Sequence, residues 1–181
     1  MCLLCDQAYG QQFQAGESRD GRSHYGLSIA PAELLDNSSL AVTSQATVTD
    51  GVLDYYLHTS GGAVTVSGGG FGEQTIQSRS ISAVDQAYFN AMVHQLDSII
   101  DLDFRQVGSV TESDVELYYD SDIELGGGSD TIGLATTDAD GGWELFVNYP
   151  KVESDEAYRR YVLIHEFGHS LGLEHPFEAS D

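Results

Sequence analysis

From Val52 onward the chain alternates: Leu53, Tyr55 and Leu57 fall between Asp54, Tyr56 and His58, the period-two pattern of a strand with one buried face. Gly61, Gly62, Gly68, Gly69, Gly70 and Gly72 follow and mark a loop or hairpin. They lack phosphate-loop spacing, so this is no nucleotide cradle. Ser82-Ala83-Val84-Asp85 has capping-box form, and Ile81, Val84, Tyr88, Met92 and Ile99 recur near helical spacing. This predicts one long helix over about 81–100. Leu102 to Val107 reads as a second strand, and Val115, Leu117 and Tyr119, set against Asp114, Glu116 and Tyr118, as a third. After a Gly126-Gly127-Gly128 turn, Thr131 to Thr136 reads as a fourth and Trp143, Leu145, Val147 and Tyr149 mark a fifth. Ser154 is the expected cap of a second long helix, with Asp155 and Glu156 at the positive end of its dipole.

This order predicts an α/β (α+β) layer, a twisted, mixed five-stranded sheet with two long helices packed on it. Residues 1–50, rich in Gln, Ser, Gly and Asp with weak periodicity, read as a weakly structured N-terminal extension holding one short helix at Pro31 to Leu35. Residues 51–181 are the folded unit. At 181 residues and 41% hydrophobic content, one domain with an ordinary core is expected.

Charge narrows the partners. With 7 basic and 29 acidic residues the net charge is −22, which repels phosphate backbones and anionic membrane surfaces. Neither a nucleic acid nor a membrane is an expected partner, and no stretch is long enough to span a bilayer. Such acidity suits a protein working in salt, one that binds calcium, or simply a very soluble surface. Asp120-Ser121-Asp122-Ile123-Glu124 and Asp138-Ala139-Asp140-Gly141 are candidate Ca2+ ligands without full EF-hand spacing, and a solvated loop is the simpler reading of both. Gly126 to Ile132 has the form of half a glycine-rich calcium repeat, and a single unit reads as a turn.

The opening Met1-Cys2-Leu3-Leu4-Cys5-Asp6 lacks the basic region and apolar run of a secretory signal peptide. Cys2 and Cys5 form a lone C-x-x-C with three open readings: a tail without a role, a local disulfide, or a thiolate reaching a metal. His24, His58 and His94 have no partner at ligand spacing and read as surface or strand residues.

The candidate chemistry lies in His165-Glu166-Phe167-Gly168-His169-Ser170-Leu171-Gly172-Leu173-Glu174-His175, which spells H-E-x-x-H-x-x-G-x-x-H. On a helix His165 and His169 stand one turn apart on one face, so both imidazoles reach one metal ion, with Glu166 beside them as a base. Gly172, free to adopt a left-handed backbone, ends the helix and brings His175 back as third ligand. Three protein ligands leave a fourth position for water.

With these residues the sequence resembles the metzincin metallopeptidases, and Pro176 after the third His makes it most similar to the serralysin-type bacterial branch. The specific resemblance covers Tyr161 to about Phe177, and a weaker one in element order reaches back to about Gly51. It implies a metzincin-like N-terminal catalytic subdomain, Zn2+ held by His165, His169 and His175, and Glu166 as catalytic base. It further implies that the fourth strand, with Ile132, Gly133, Leu134, Ala135 and Thr136, is an antiparallel edge that receives the substrate as an added strand. The expected function is that of a zinc-dependent endopeptidase acting on protein or peptide substrates through a zinc-bound water, in an extracellular setting. The reading from a different class is a non-catalytic zinc-binding module or a truncated metzincin remnant. Metzincins also carry a methionine-containing turn beneath the metal, in a C-terminal subdomain. Met1 and Met92 both precede the motif, so that turn is expected beyond Asp181 and slow or absent hydrolysis is expected of the 181-residue chain.

Overall fold

The computed structural model describes residues 34–123, 130–138 and 140–175. Cys2, Cys5, His24, Pro31, Glu124, the Gly126–Gly128 turn, Ala139 and Pro176 lie outside the described residues. In chain order the elements are helix α1 (Asn37–Ala46), strands β1 (Val52–Leu57), β2 (Gly62–Val66) and β3 (Gln74–Arg79), helix α2 (Ala83–Asp97), strands β4 (Asp103–Gln106), β5 (Val115–Asp120), β6 (Gly133–Thr137) and β7 (Trp143–Asn148), the short helix α3 (Tyr149–Val152) and helix α4 (Glu156–Ser170). Among the described residues the fold is mixed α/β of the α+β kind, one mixed sheet of seven strands with four α-helices.

β5 is the spine. One of its edges is filled by β7, in parallel register from Val115↔Trp143 to Asp120↔Asn148. Its other edge is shared: β1 pairs in parallel with Val115 to Leu117, and β3 pairs antiparallel with Tyr119 and Asp120. β4 flanks β1 in parallel, β2 flanks β3, and β6 closes the far side antiparallel to β7. The sheet thus holds seven strands where sequence periodicity predicts five. The extra two are the β2–β3 hairpin, whose strands flank the Gly68–Gly72 segment.

Alternation along the strands sorts two apolar layers. Leu53, Tyr55, Leu57, Leu117, Tyr119, Leu145 and Val147 face Phe89 and Val93 of α2 and Val162, Leu163 and Phe167 of α4, forming the main core. The opposite face carries Tyr118 and Phe146, covered by Val66 and Ile76 of the hairpin together with Ile123. β5 and β7 are therefore buried along their whole length, although their sequences alternate with acidic residues.

One boundary differs from the sequence reading, and one helix is added to it. Asp155, not Ser154, caps α4 by accepting from the Tyr158 N–H at 2.9 Å. In the N-terminal region the structure adds a helix at Asn37–Ala46, which Asp36 caps by accepting from the N–H groups of Ser38 and Ser39, while most of the helix expected at Pro31 to Leu35 lies outside the described residues. The Ser82 cap of α2 forms as expected, its hydroxyl oxygen accepting from the Asp85 N–H at 3.1 Å and its hydroxyl donating to Asp85 Oδ2 at 3.0 Å.

Three carboxylates buried in or beside the core have clear partners. Asp85, 1% exposed, takes Arg159 in a two-pronged contact, Nε to Oδ2 at 3.1 Å and Nη2 to Oδ1 at 3.2 Å. This pins the start of α2 to α4. On the hairpin face Glu144 accepts from the N–H groups of Ser67 at 2.6 Å and Gly68 at 2.8 Å, fastening the hairpin to β7. Its cross-strand neighbour Glu116 accepts from the Tyr118 hydroxyl at 2.7 Å, and burial pushes its carboxyl up to about 7.

Two outcomes follow from these buried charges. Asp85→Ala strands the Arg159 guanidinium in the core and should cost about 3–5 kcal/mol in urea unfolding, whereas the double change Asp85→Ala/Arg159→Met should cost less. Native Glu116 keeps its proton up to about 7, while an ordinary glutamate loses it near 4.5. At this residue the native state therefore binds more protons within that window, and the stability that Glu116 contributes falls as pH rises through it. In chelator-containing buffer, Glu116→Gln should flatten this fall between pH 4.5 and 7 relative to the parent.

Candidate metal centre

α4 carries its buried residues at Arg159, Val162, Leu163, Glu166, Phe167 and Ser170, the stripe expected of a helix lying on a sheet. Glu166 belongs to that stripe and is 1% exposed. His165 and His169 lie at its margin, half-buried, on a face shared one turn apart.

The helix then stops in a Schellman turn. Gly172 sits at φ +85°, the Gly172 N–H donates to His169 O at 2.9 Å and the Leu173 N–H to Gly168 O at 3.0 Å. The reversal is the one expected from the glycine, and it returns His175 to the helix face. His165 Nε2 comes to 3.0 Å from His175 Nε2 and 3.2 Å from His169 Nε2. Among the described residues these three form the group of His, Cys, Asp or Glu whose ligand atoms lie within 4.8 Å of one another, and the acidic residues 120–122 and 138–140 form none.

This donor set fits a zinc ion. Two nitrogens bound at ~2.0–2.1 Å in a tetrahedral arrangement stand about 3.3–3.4 Å apart, close to the observed spacings. His169 Nδ1 lies 2.7 Å from the Leu173 carbonyl, an acceptor only, so Nδ1 carries the proton and Nε2 presents its lone pair to the centre. Tyr161, nearly half exposed, lies 5.7 Å ring to ring from His165.

A cavity of about 200 Å³ opens beside the triad. α4 and its turn contribute Glu166, His169 and His175, and β6 contributes Gly133, Leu134 and Ala135. Of the five residues expected on the substrate strand, these three meet the site. Ile132 precedes the strand and packs into the main core, and Thr136 lies toward Gly69 at the other end. β6 pairs with β7 along one edge, and its other edge has no strand partner among the described residues.

The cavity also draws on residues that sequence reasoning passed over: Asp36, Ser39, Trp143 and Glu174. The hydroxyls of Ser39 and Ser38 hold the Asp36 carboxyl down to about 2, so the rim is anionic there. Asp36-Asn37-Ser38-Ser39 is a helix-capping pattern, and that signal was available in the sequence.

Comparisons with known proteins add little. No protein-family model matches the chain, and no curated protein matches it. Among solved structures, one similar chain belongs to the "GM1 bound form of the ECX AB5 holotoxin", at 18% identity and a TM-score of 0.43, covering 75% of this chain and 57% of that one. This chain thus spans less than two thirds of that chain's length, and a likeness at this level carries no argument.

Gly133 lies against Glu166. A Cβ on Gly133 would overlap the Glu166 carboxylate and stand 2.6 Å from its Cδ and 2.9 Å from its Cγ. Gly133→Ala should therefore cost about 1–3 kcal/mol in urea unfolding by overpacking, and markedly less in a Glu166→Ala background, where the obstruction is gone.

Proposed function

We propose that this chain is a zinc-dependent endopeptidase of metzincin type, most like the serralysin branch. One observation carries the reading: three imidazole Nε2 atoms converge at metal-ligand spacing beside a buried glutamate and a strand edge with no strand partner among the described residues. The sheet order supports it as well. Without the hairpin the strands run β4-β1-β5-β7-β6 with the last antiparallel, in keeping with the substrate-receiving edge of that family.

Each residue then has a task. His165, His169 and His175 would hold the zinc, the Leu173 carbonyl fixing the His169 ring. When bound, zinc supplies Lewis acidity, lowering the pKa of water toward ~7 and polarising a peptide carbonyl. Glu166 takes the proton from the attacking water at its carboxylate and later returns it to the leaving amine. Its burial between α4 and β6 keeps the carboxylate in one place through both transfers. The open edge of β6 offers backbone N–H and C=O groups to an extended peptide, laying the scissile bond along Gly133 to Ala135 beside the triad.

Protein purified without chelator should hold about one zinc per chain, and His165→Ala/His169→Ala should abolish it. Unchanged zinc in that variant places the metal elsewhere. Glu166→Ala should retain the metal while peptide hydrolysis drops by about 10²–10⁴-fold, read with casein or a quenched peptide on a form of the protein with measurable activity. A zinc-loaded parent without hydrolysis in any form would favour the non-catalytic binding module instead.

A further inference from the structure

The turn that carries the third histidine is held from outside the motif. Leu35 pairs with Leu173 in an antiparallel bridge, the Asp36 N–H donates to Gly172 O at 2.9 Å and the Glu174 N–H donates to Leu34 O at 2.9 Å. Behind this short ladder α1 packs against the end of α4. Thr43, 6% exposed, donates its hydroxyl to the Ser170 carbonyl and accepts from Trp143 Nε1 at 3.1 Å. Leu40 closes the remaining space, its Cδ2 standing 2.6 Å from where a Cβ on Gly172 would lie.

Resting on the metal reading above, we infer that the segment from Leu34 through Thr43 is a positioning clamp that sets the geometry of two of the three ligands. Leu173 is the point of action. Its backbone is fixed by the Leu35 bridge, its carbonyl orients the His169 ring, and it lies two residues before His175. A turn free to shift would move His175 and release the His169 tautomer together. None of the clamping residues belongs to the ligand group, although Asp36 and Ser39 line the same cavity, and the tie from Thr43 to Ser170 spans 127 residues of sequence. Partners that fix a ligand's orientation typically affect metal affinity by about 10–100-fold when removed.

The test uses the 181-residue chain and Co2+, whose visible absorption reports ligand geometry. Thr43→Val keeps the side-chain shape but removes the hydroxyl that links Trp143 to Ser170. It should weaken Co2+ binding about tenfold and alter the absorption band. Thr43→Ser, which restores the hydroxyl, should return both toward the parent. Val66→Ala, in the apolar cluster under the hairpin on the far face of the sheet, should lower the melting temperature yet leave band and affinity unchanged. Leu40→Ala, at a half-buried position, carries the same expectation as Thr43→Val and replaces it should that variant not fold. Parental affinity and spectrum in Thr43→Val and Leu40→Ala, or an equal loss in Val66→Ala, would overturn the clamp and leave the metal reading standing. A parent chain that binds no Co2+, or a His165→Ala/His169→Ala chain that binds it equally, would overturn both.

Discussion

The buried stripe of α4 sets everything around it. Val162, Leu163 and Phe167 press onto the sheet, with Phe167 at 5.1 Å ring to ring from Phe89 and 5.9 Å from Phe104. That packing fixes the rotation of the helix about its axis. Once rotation is fixed, Glu166 has to point into protein and His165 and His169 have to stand at the margin, because each lies within about 100° of arc from its neighbours. A residue type that resists burial is thus held in the core layer by apolar neighbours on the same stripe. The site is a by-product of how the helix is seated.

Where local chemistry decides, the sequence was readable. Strand β1, the Ser82 cap and the reversal at Gly172 follow from period-two alternation, a hydroxyl-acid pair and a residue without Cβ, none of which needs distant partners. The ends of β6 and the cap of α4 differ from the sequence reading by one or two residues, as helix and strand termini do when tertiary contacts adjust them. Less was readable where partners are remote. β5 and β7 look half-exposed on paper because Glu116, Glu144 and Asp120 interrupt them, yet all three are buried, on the face covered by a hairpin whose glycines suggest a loop or hairpin but not where it packs. α1 was missed for a related reason. Its sequence, NSSLAVTSQA, has weak amphipathic character, and its register is set by the Asp36 cap and by the turn far along the chain.

Of the candidate site, the motif pointed to the three histidines that converge and to the glutamate buried beside them, and the topology added their setting. Gly133 could not have been singled out from sequence, because its significance is the absence of a side chain where the Glu166 carboxylate needs room. Asp36 and Trp143 could not have been placed at the cavity without knowing that the segment before α1 runs beside the turn after α4.

That long-range tie bears on how the molecule comes to be finished. The β2–β3 hairpin and α2 close over short stretches of chain, and such local structure forms quickly. The link between Thr43 and Ser170 closes a loop of 127 residues, and loop-closure entropy makes contacts of that span late ones. During synthesis the early segment must wait, bare on one face, until the whole sheet and the motif helix have emerged. A nascent chain would therefore acquire its sheet well before it acquires a competent ligand turn, so metal capture would report completed folding and would not nucleate it.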